Sequence, residues 1–177
     1  MDMNDRATQA LADSTTAISY GIVKLSGTKA HGAFAIIDAD DVERVSKFTW
    51  NLHLTGPNRY ARRAGPGCVL MHDFILGTKG VDHADGNGLN NRRSNLRTAT
   101  QSQNLANRQK QQGVTSRYKG VHWYARSGSW RASVTKDYQR YNLGAFTEEE
   151  EAARAYDTKA RELFGEFAVL NFPEETT

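Results

Sequence analysis

The sequence predicts an α+β fold assembled from small antiparallel pieces, and three stretches carry that prediction. Residues 18–76 alternate short β-prone runs with brief helical signals. Residues 81–109 read as strand, polar loop, strand and helix, and residues 119–165 as three strands followed by one helix. A chain of 177 residues has room for one ordinary domain or two small ones. Modules of about 60 residues bury only part of their surface and are individually marginal.

Residues 1–17 are rich in Ala, Thr, Ser and Asp, with neither a basic start nor an apolar stretch. They read as a mobile tail and not as a signal peptide. Residues 18–24 and 34–37 are β-prone, and Asp40-Asp41 ahead of Val42 and Val45 suggests a short capped helix. Residues 50–54 and 60–63 flank the turn signal Gly56-Pro57-Asn58. Leu70, Met71, Phe74 and Ile75 mark a helix within residues 69–76 that stops at Gly77.

Residues 81–83 end a strand, residues 84–93 are too rich in Gly and Asn for regular structure, and residues 96–99 return as a second strand. Thr100 with Gln103 fits a capping box, so a helix starts there and runs toward Gln109, with Asn104, Asn107 and Arg108 on one face. A polar linker is expected at 109–116. Beyond it, strands are expected at 119–124, 130–135 and 140–145. Period-two alternation sends Trp130, Ala132, Val134, Tyr141 and Leu143 toward a helix, and Arg131, Ser133, Thr135, Arg140 and Asn142 outward. That helix is expected to be capped by Thr147 with Glu150 at its third position, to pack through Ala152, Ala153, Tyr156, Ala160 and Leu163, and to end at Gly165.

The formal charge of +3 is unevenly placed. Between Asp82 and Phe146 the basic residues Arg92, Arg93, Arg97, Arg108, Lys110, Arg117, Lys119, Arg126, Arg131, Lys136 and Arg140 face only Asp82, Asp85 and Asp137. Such a band suits phosphate neutralisation, although a solvated basic face would look the same in composition. Cys68 is the single cysteine, which leaves oxygen and imidazole as metal donors and fits a reducing cytosol. No apolar run approaches the roughly 20 residues of a membrane span. The expectation is a cytoplasmic protein acting in a host cell.

Val81-Asp82-His83-Ala84-Asp85-Gly86-Asn87, then Ser94-Asn95-Leu96-Arg97 and Gln103-Asn104, place a carboxylate beside a histidine and amides at set intervals. This ordered set resembles the HNH endonuclease motif, in the phage and intron-encoded variant where Asn replaces the last His. The resemblance implies a ββα-metal fold within a nuclease domain at 18–108. It makes His83 the general base, Asp82 and Asn104 ligands of one Mg²⁺ or Mn²⁺, and Asn95 the residue that crosses the loop and fixes the His83 ring. Arg97 and His72 are secondary candidates: Arg97 to reach a phosphate, and His72 either to do the same or simply to fill a half-buried helix position beside Asp73. Taken singly, any of these residues could be a cap or a turn former. Asp85, Asn87 and Asn91 read as loop-shaping residues.

Tyr118-Lys119-Gly120-Val121, Trp130-Arg131-Ala132, Leu143-Gly144-Ala145-Phe146, Ala152-Ala153-Arg154-Ala155-Tyr156-Asp157 and Leu170-Asn171-Phe172 resemble an AP2 DNA-binding domain, covering 117–173. The resemblance implies that the outer sheet face enters the major groove of double-stranded DNA through Lys119, His122, Tyr124, Arg126, Arg131, Ser133, Thr135, Arg140 and Asn142. The hairpin at 136–139 has no glycine, and Trp123 and Trp130 read as packing residues. The combined expectation is a homing-type DNA endonuclease, acting as a monomer with one active centre. Its rivals are an AP2 regulator with an inactive nuclease fold and, more distantly, an RNA-processing nuclease.

Overall fold

The computed structural model describes residues 20–110 and 115–173, so the expected tail at 1–17, Ile18 and the middle half of the expected linker lie outside the described residues. The chain divides into two compact units, Met1–Thr98 and Ala99–Thr177. Both are mixed α+β with small sheets. No helix among the described residues is long and apolar enough to cross a membrane.

In the first unit β1 (Tyr20–Lys24) pairs antiparallel with β2 (Phe34–Asp38), and β3 (Trp50–Thr55) pairs with β4 (Asn58–Arg63). Between the hairpins a single 3-10 turn leads into α1 (Val42–Ser46). Ala35, Ile37, Val45, Trp50, Ala61, Met71 and Ile75 form the core, and the Trp50 Nε1–H donates to the Val45 carbonyl at 2.9 Å, so the largest buried side chain has its polar atom satisfied. The helix expected within 69–76 is α2 (Met71–Leu76), closed by Gly77 in the left-handed region as its pattern predicts. Asp41 departs from expectation. It makes no capping bond to α1; its buried carboxylate instead accepts from Arg93 Nε at 2.9 Å and Nη2 at 2.8 Å, and from Arg44 at 2.9 Å. A forked guanidinium outcompetes a helix amide for a desolvated carboxylate.

β5 (Val81–His83) pairs with β6 (Leu96–Thr98), with Asp82 opposite Arg97 and His83 opposite Leu96. The intervening loop is braced by β2: Ile36 N–H donates to Leu89 O at 2.9 Å, and Asn91 N–H to Ile36 O at 2.7 Å. Gly88 lies so close to β4 that a Cβ there would collide with the Arg59 carbonyl and the Tyr60 ring.

The second unit opens with α3 (Gln101–Ala106), whose capping box between Thr100 and Gln103 forms as predicted. The helix stops at Ala106, short of the expected Gln109. β7 (Val121–Tyr124), β8 (Ser129–Lys136) and β9 (Gln139–Phe146) form one antiparallel sheet in that order, packed on α4 (Glu149–Phe164). The inward and outward faces follow the predicted alternation: Ala132 and Val134 are buried, Tyr141 and Leu143 pack in the core, and Arg131, Arg140 and Asn142 are exposed. Thr147 does not cap α4. The N-cap is Glu148, and Glu149 and Glu150 are drawn away to Arg117 and Tyr118, at 3.0 Å for each Arg117 bond and 3.1 Å for the Tyr118 hydroxyl. Asp157, buried on α4, accepts the backbone N–H of Asn171 and Phe172 at 2.8 Å each, and Asn171 in turn accepts from Lys119 N–H at 2.7 Å.

Helix α3 is fastened to this sheet and helix at three points. Ser102 Oγ accepts the Asp137 N–H at 2.8 Å, and Ala106 is buried in a cluster with Val134, Tyr156 and Phe164. Lys119 Nζ donates to the carbonyls of Ala106 and Arg108.

Candidate active site and nucleic-acid interface

Asp82 and His83 are consecutive on β5, yet both are buried. A strand sends them to opposite faces, and short β5 ends at the polar loop with a different neighbourhood for each. His83 Nε2 lies 3.4 Å from Asn91 Oδ1, and its ring is edge-on to His72 at 4.8 Å between centroids and 6.0 Å from the Tyr60 ring. Burial lowers the His83 pKa, partly offset by the Asn91 hydrogen bond and by Asp85 and Asp82, so the ring is neutral near pH 7. A neutral imidazole carries one protonated and one basic nitrogen.

Asp82 Oδ2 accepts from Arg97 Nε at 3.0 Å and Nη2 at 2.9 Å across the β5–β6 pair. Arg97, expected to reach a phosphate, is engaged with the candidate metal ligand. Asn95 also works differently from expectation. Its amide donates to Asp85 Oδ1 at 2.9 Å and to Asn90 O at 2.8 Å while its oxygen accepts the Asp85 N–H at 3.0 Å, so it organises the loop, and Asn91 is the amide at the His83 ring. Asp85 shapes the loop as predicted. Burial alone would raise its pKa, but hydrogen bonds from Asn90, Asn87 and Asn95 together outweigh burial and lower it.

His72 is walled in at the start of α2, 5.7 Å from the Tyr60 ring centroid, and its Nδ1 has no hydrogen-bond partner. Burial, then the neighbouring His83, lowers its pKa from 6.5 to about 3. The 3.6 Å approach of its Nε2 to Asp73 is therefore no ion pair near pH 7, and His72 offers no cation for a phosphate. The packing reading of His72 is the one the geometry supports.

On the second unit the outer sheet face pairs His122 with Arg131, Ser133 with Asn142 and Thr135 with Arg140. A concavity of about 420 Å³ lies among His122, Tyr124, Arg131, Arg140 and Asn142. The Arg131 guanidinium sits 3.7 Å over the Tyr124 ring, and Arg140 donates to Ser133 Oγ at 2.9 Å, so both cations are held in fixed orientations. Arg126 is exposed in the β7–β8 turn. Lys119 is the exception to the predicted face. The strand begins only at Val121, and the Lys119 ammonium is turned inward onto carbonyls, where burial, eased by Asp157, lowers its pKa to about 8.

A family model described as HNH endonuclease matches residues 77–106, spanning β5, the loop, β6 and α3. The chain is 37% identical over 152 residues to an uncharacterised HNH endonuclease, L560, of Acanthamoeba polyphaga mimivirus, covering 81% of this chain and 77% of the relative. The chain belongs to the HNH endonuclease family. The chain is also 38% identical over 88 residues to protein 3.8 of Escherichia phage T7, covering 50% of this chain and 72% of that protein. Over 61 residues it is 44% identical to the AP2/ERF and B3 domain-containing transcription repressor TEM1 of Arabidopsis thaliana, covering 34% of this chain and 17% of the repressor, in keeping with an AP2-like C-terminal region.

The structure brings Asp82, His83, Asn95 and Arg97 together in the first unit, with His72 behind His83, while Asn104 lies on α3 of the second unit. Asn91, expected only to shape the loop, is the amide at the His83 ring. Tyr60 carried no signal as a site residue, because its place against His72 and His83 is fixed by the β3–β4 hairpin and the close approach of Gly88.

Proposed function

We propose that this chain is a homing-type endonuclease that hydrolyses phosphodiester bonds of double-stranded DNA with one divalent ion, guided by its AP2-like sheet. The observation that carries the reading is the buried Asp82-His83 pair with its organised loop: a neutral imidazole held at Nε2 by Asn91, beside a desolvated carboxylate. His83 takes a proton from the attacking water, whose oxygen bonds to phosphorus as the 3′ oxygen leaves. Asn91 and Tyr60 hold the ring, and Asn95 and Asp85 hold the loop behind it.

The donors fit a small hard cation that keeps several waters. Among the described residues no three of His, Cys, Asp and Glu gather as a ligand set, whereas a carboxylate such as Asp82 with the amide of Asn104, as the family resemblance implies, is the oxygen chemistry that Mg²⁺ or Mn²⁺ prefers. When bound, the ion neutralises the crowded phosphate and the charge on the leaving oxygen. On the second unit Arg131, Arg140 and Arg126 meet the DNA backbone or base edges, with His122, Tyr124, Ser133, Thr135 and Asn142 between them.

A second reading, an AP2-type regulator on an inactive nuclease fold, is favoured by one observation: Arg97 already neutralises Asp82. Nicking of supercoiled plasmid in Mg²⁺ separates the two. The endonuclease reading requires nicking by wild type and its near loss in His83→Ala. Equal cutting by both proteins, or none by either with DNA binding retained, selects the regulator.

A further inference from the structure

The β8–β9 hairpin turns through Asp137 and Tyr138, both with positive φ, at 50° and 65°. That is the backbone of a two-residue type I′ turn, for which Asp-Gly is among the preferred sequences because glycine accepts φ above zero without cost. Here the glycine position holds a tyrosine, for which the left-handed region is strained. The ring gains no packing in return: Tyr138 is 93% exposed, the most exposed of the large hydrophobic side chains among the described residues. Nor is the tip loose, since the Asp137 N–H is held by Ser102 Oγ on α3 at 2.8 Å. It stands directly beyond the Lys136–Gln139 pair, one pair removed from Thr135–Arg140, where the outward row of Arg131, Ser133 and Thr135 ends.

A strained, solvent-facing aromatic on an anchored tip contributes nothing to the fold that explains it. We propose that Tyr138 is a nucleic-acid contact residue, whose ring packs on a nucleotide of the duplex held by the neighbouring sheet face. This rests on the reading of that face as a DNA-binding surface. A surface ring can pack on the sugar edge of a duplex without reading its sequence, so Tyr138 adds affinity where Arg131 and Arg140 supply charge.

The test compares full-length wild type, Tyr138→Gly and Tyr138→Trp, by fluorescence anisotropy with a labelled mixed-sequence duplex and by urea denaturation. Glycine suits the turn, so the Tyr138→Gly protein keeps or raises its denaturation midpoint while its affinity falls by up to roughly tenfold, the order of one lost aromatic contact. Tyr138→Trp retains the wild-type affinity. Equal binding by wild type and Tyr138→Gly overturns the proposal, as does a joint fall of affinity and midpoint, which would make the ring structural. No binding by wild type overturns the DNA-binding reading itself, a result distinct from either of these.

Discussion

Lowering the pH should destabilise this protein through His72 in particular. The unfolded chain accepts that proton near 6.5, whereas the folded site accepts it only near 3, because the ring is buried against His83 and Tyr60. Between those values the unfolded state binds more protons, so the stability present above pH 6.5 is lost progressively as pH falls. The slope approaches 1.4 kcal/mol per pH unit, and the loss between about pH 7.5 and about pH 5 comes to about 2 kcal/mol from this residue. His72→Phe keeps an aromatic ring in the same place and removes the proton. Urea denaturation of both proteins across this range should show wild type losing about 2 kcal/mol more than the variant. Equal losses, or a His72 resonance that titrates near pH 6 in the folded protein, would refute the argument, since either means the ring takes its proton without unfolding.

Arg97→Ala removes the guanidinium from Asp82, so the Mg²⁺ concentration for half-maximal nicking should fall several-fold, while stability without the ion drops as a buried carboxylate loses a forked ion pair. An unchanged Mg²⁺ requirement would show that the pair does not compete with the ion. Gly88→Ala should cost about 1–3 kcal/mol by overpacking, and should slow nicking as Tyr60 is pushed off His83, read by urea denaturation and plasmid assay. Arg131→Ala should weaken specific DNA binding by about 1–3 kcal/mol with little change in salt slope if the residue reads a base, and should lower the slope by about one if it meets a phosphate; salt-titrated anisotropy distinguishes these.

What the sequence disclosed was decided by neighbours in the chain. The Thr100–Gln103 capping box and the Gly77 helix end both close within a few residues, and the faces of β8 and β9 follow from alternation alone. What it concealed depends on partners far along the chain. Arg92 and Arg93 read as part of a phosphate-binding band, yet Asp38 and Asp41 hold them from more than fifty residues away. The Thr147–Glu150 pattern was a sound local signal, but Arg117 and Tyr118 take Glu150. Lys119 was placed on the outer face by extending a strand two residues too early. In the loop between β5 and β6, which asparagine meets the imidazole depends on the loop's path along β2, and that path is written in Ile36, not in the motif.

The attachment of α3 bears on how the protein is to be dissected. A nuclease fragment trimmed at residue 108, where composition suggests the seam, would keep Asn104 but lose Asp137, Val134, Tyr156 and Lys119, the partners that hold its helix. Six residues do not sustain a helix in water unaided. Such a truncation would fray its last segment and fall silent, while the remainder, stripped of α3, would bare the Val134 and Phe164 surface that Ala106 covers. Grafting the sheet and α4 of the second unit onto another protein would meet the same obstacle, for the graft must bring α3 with it.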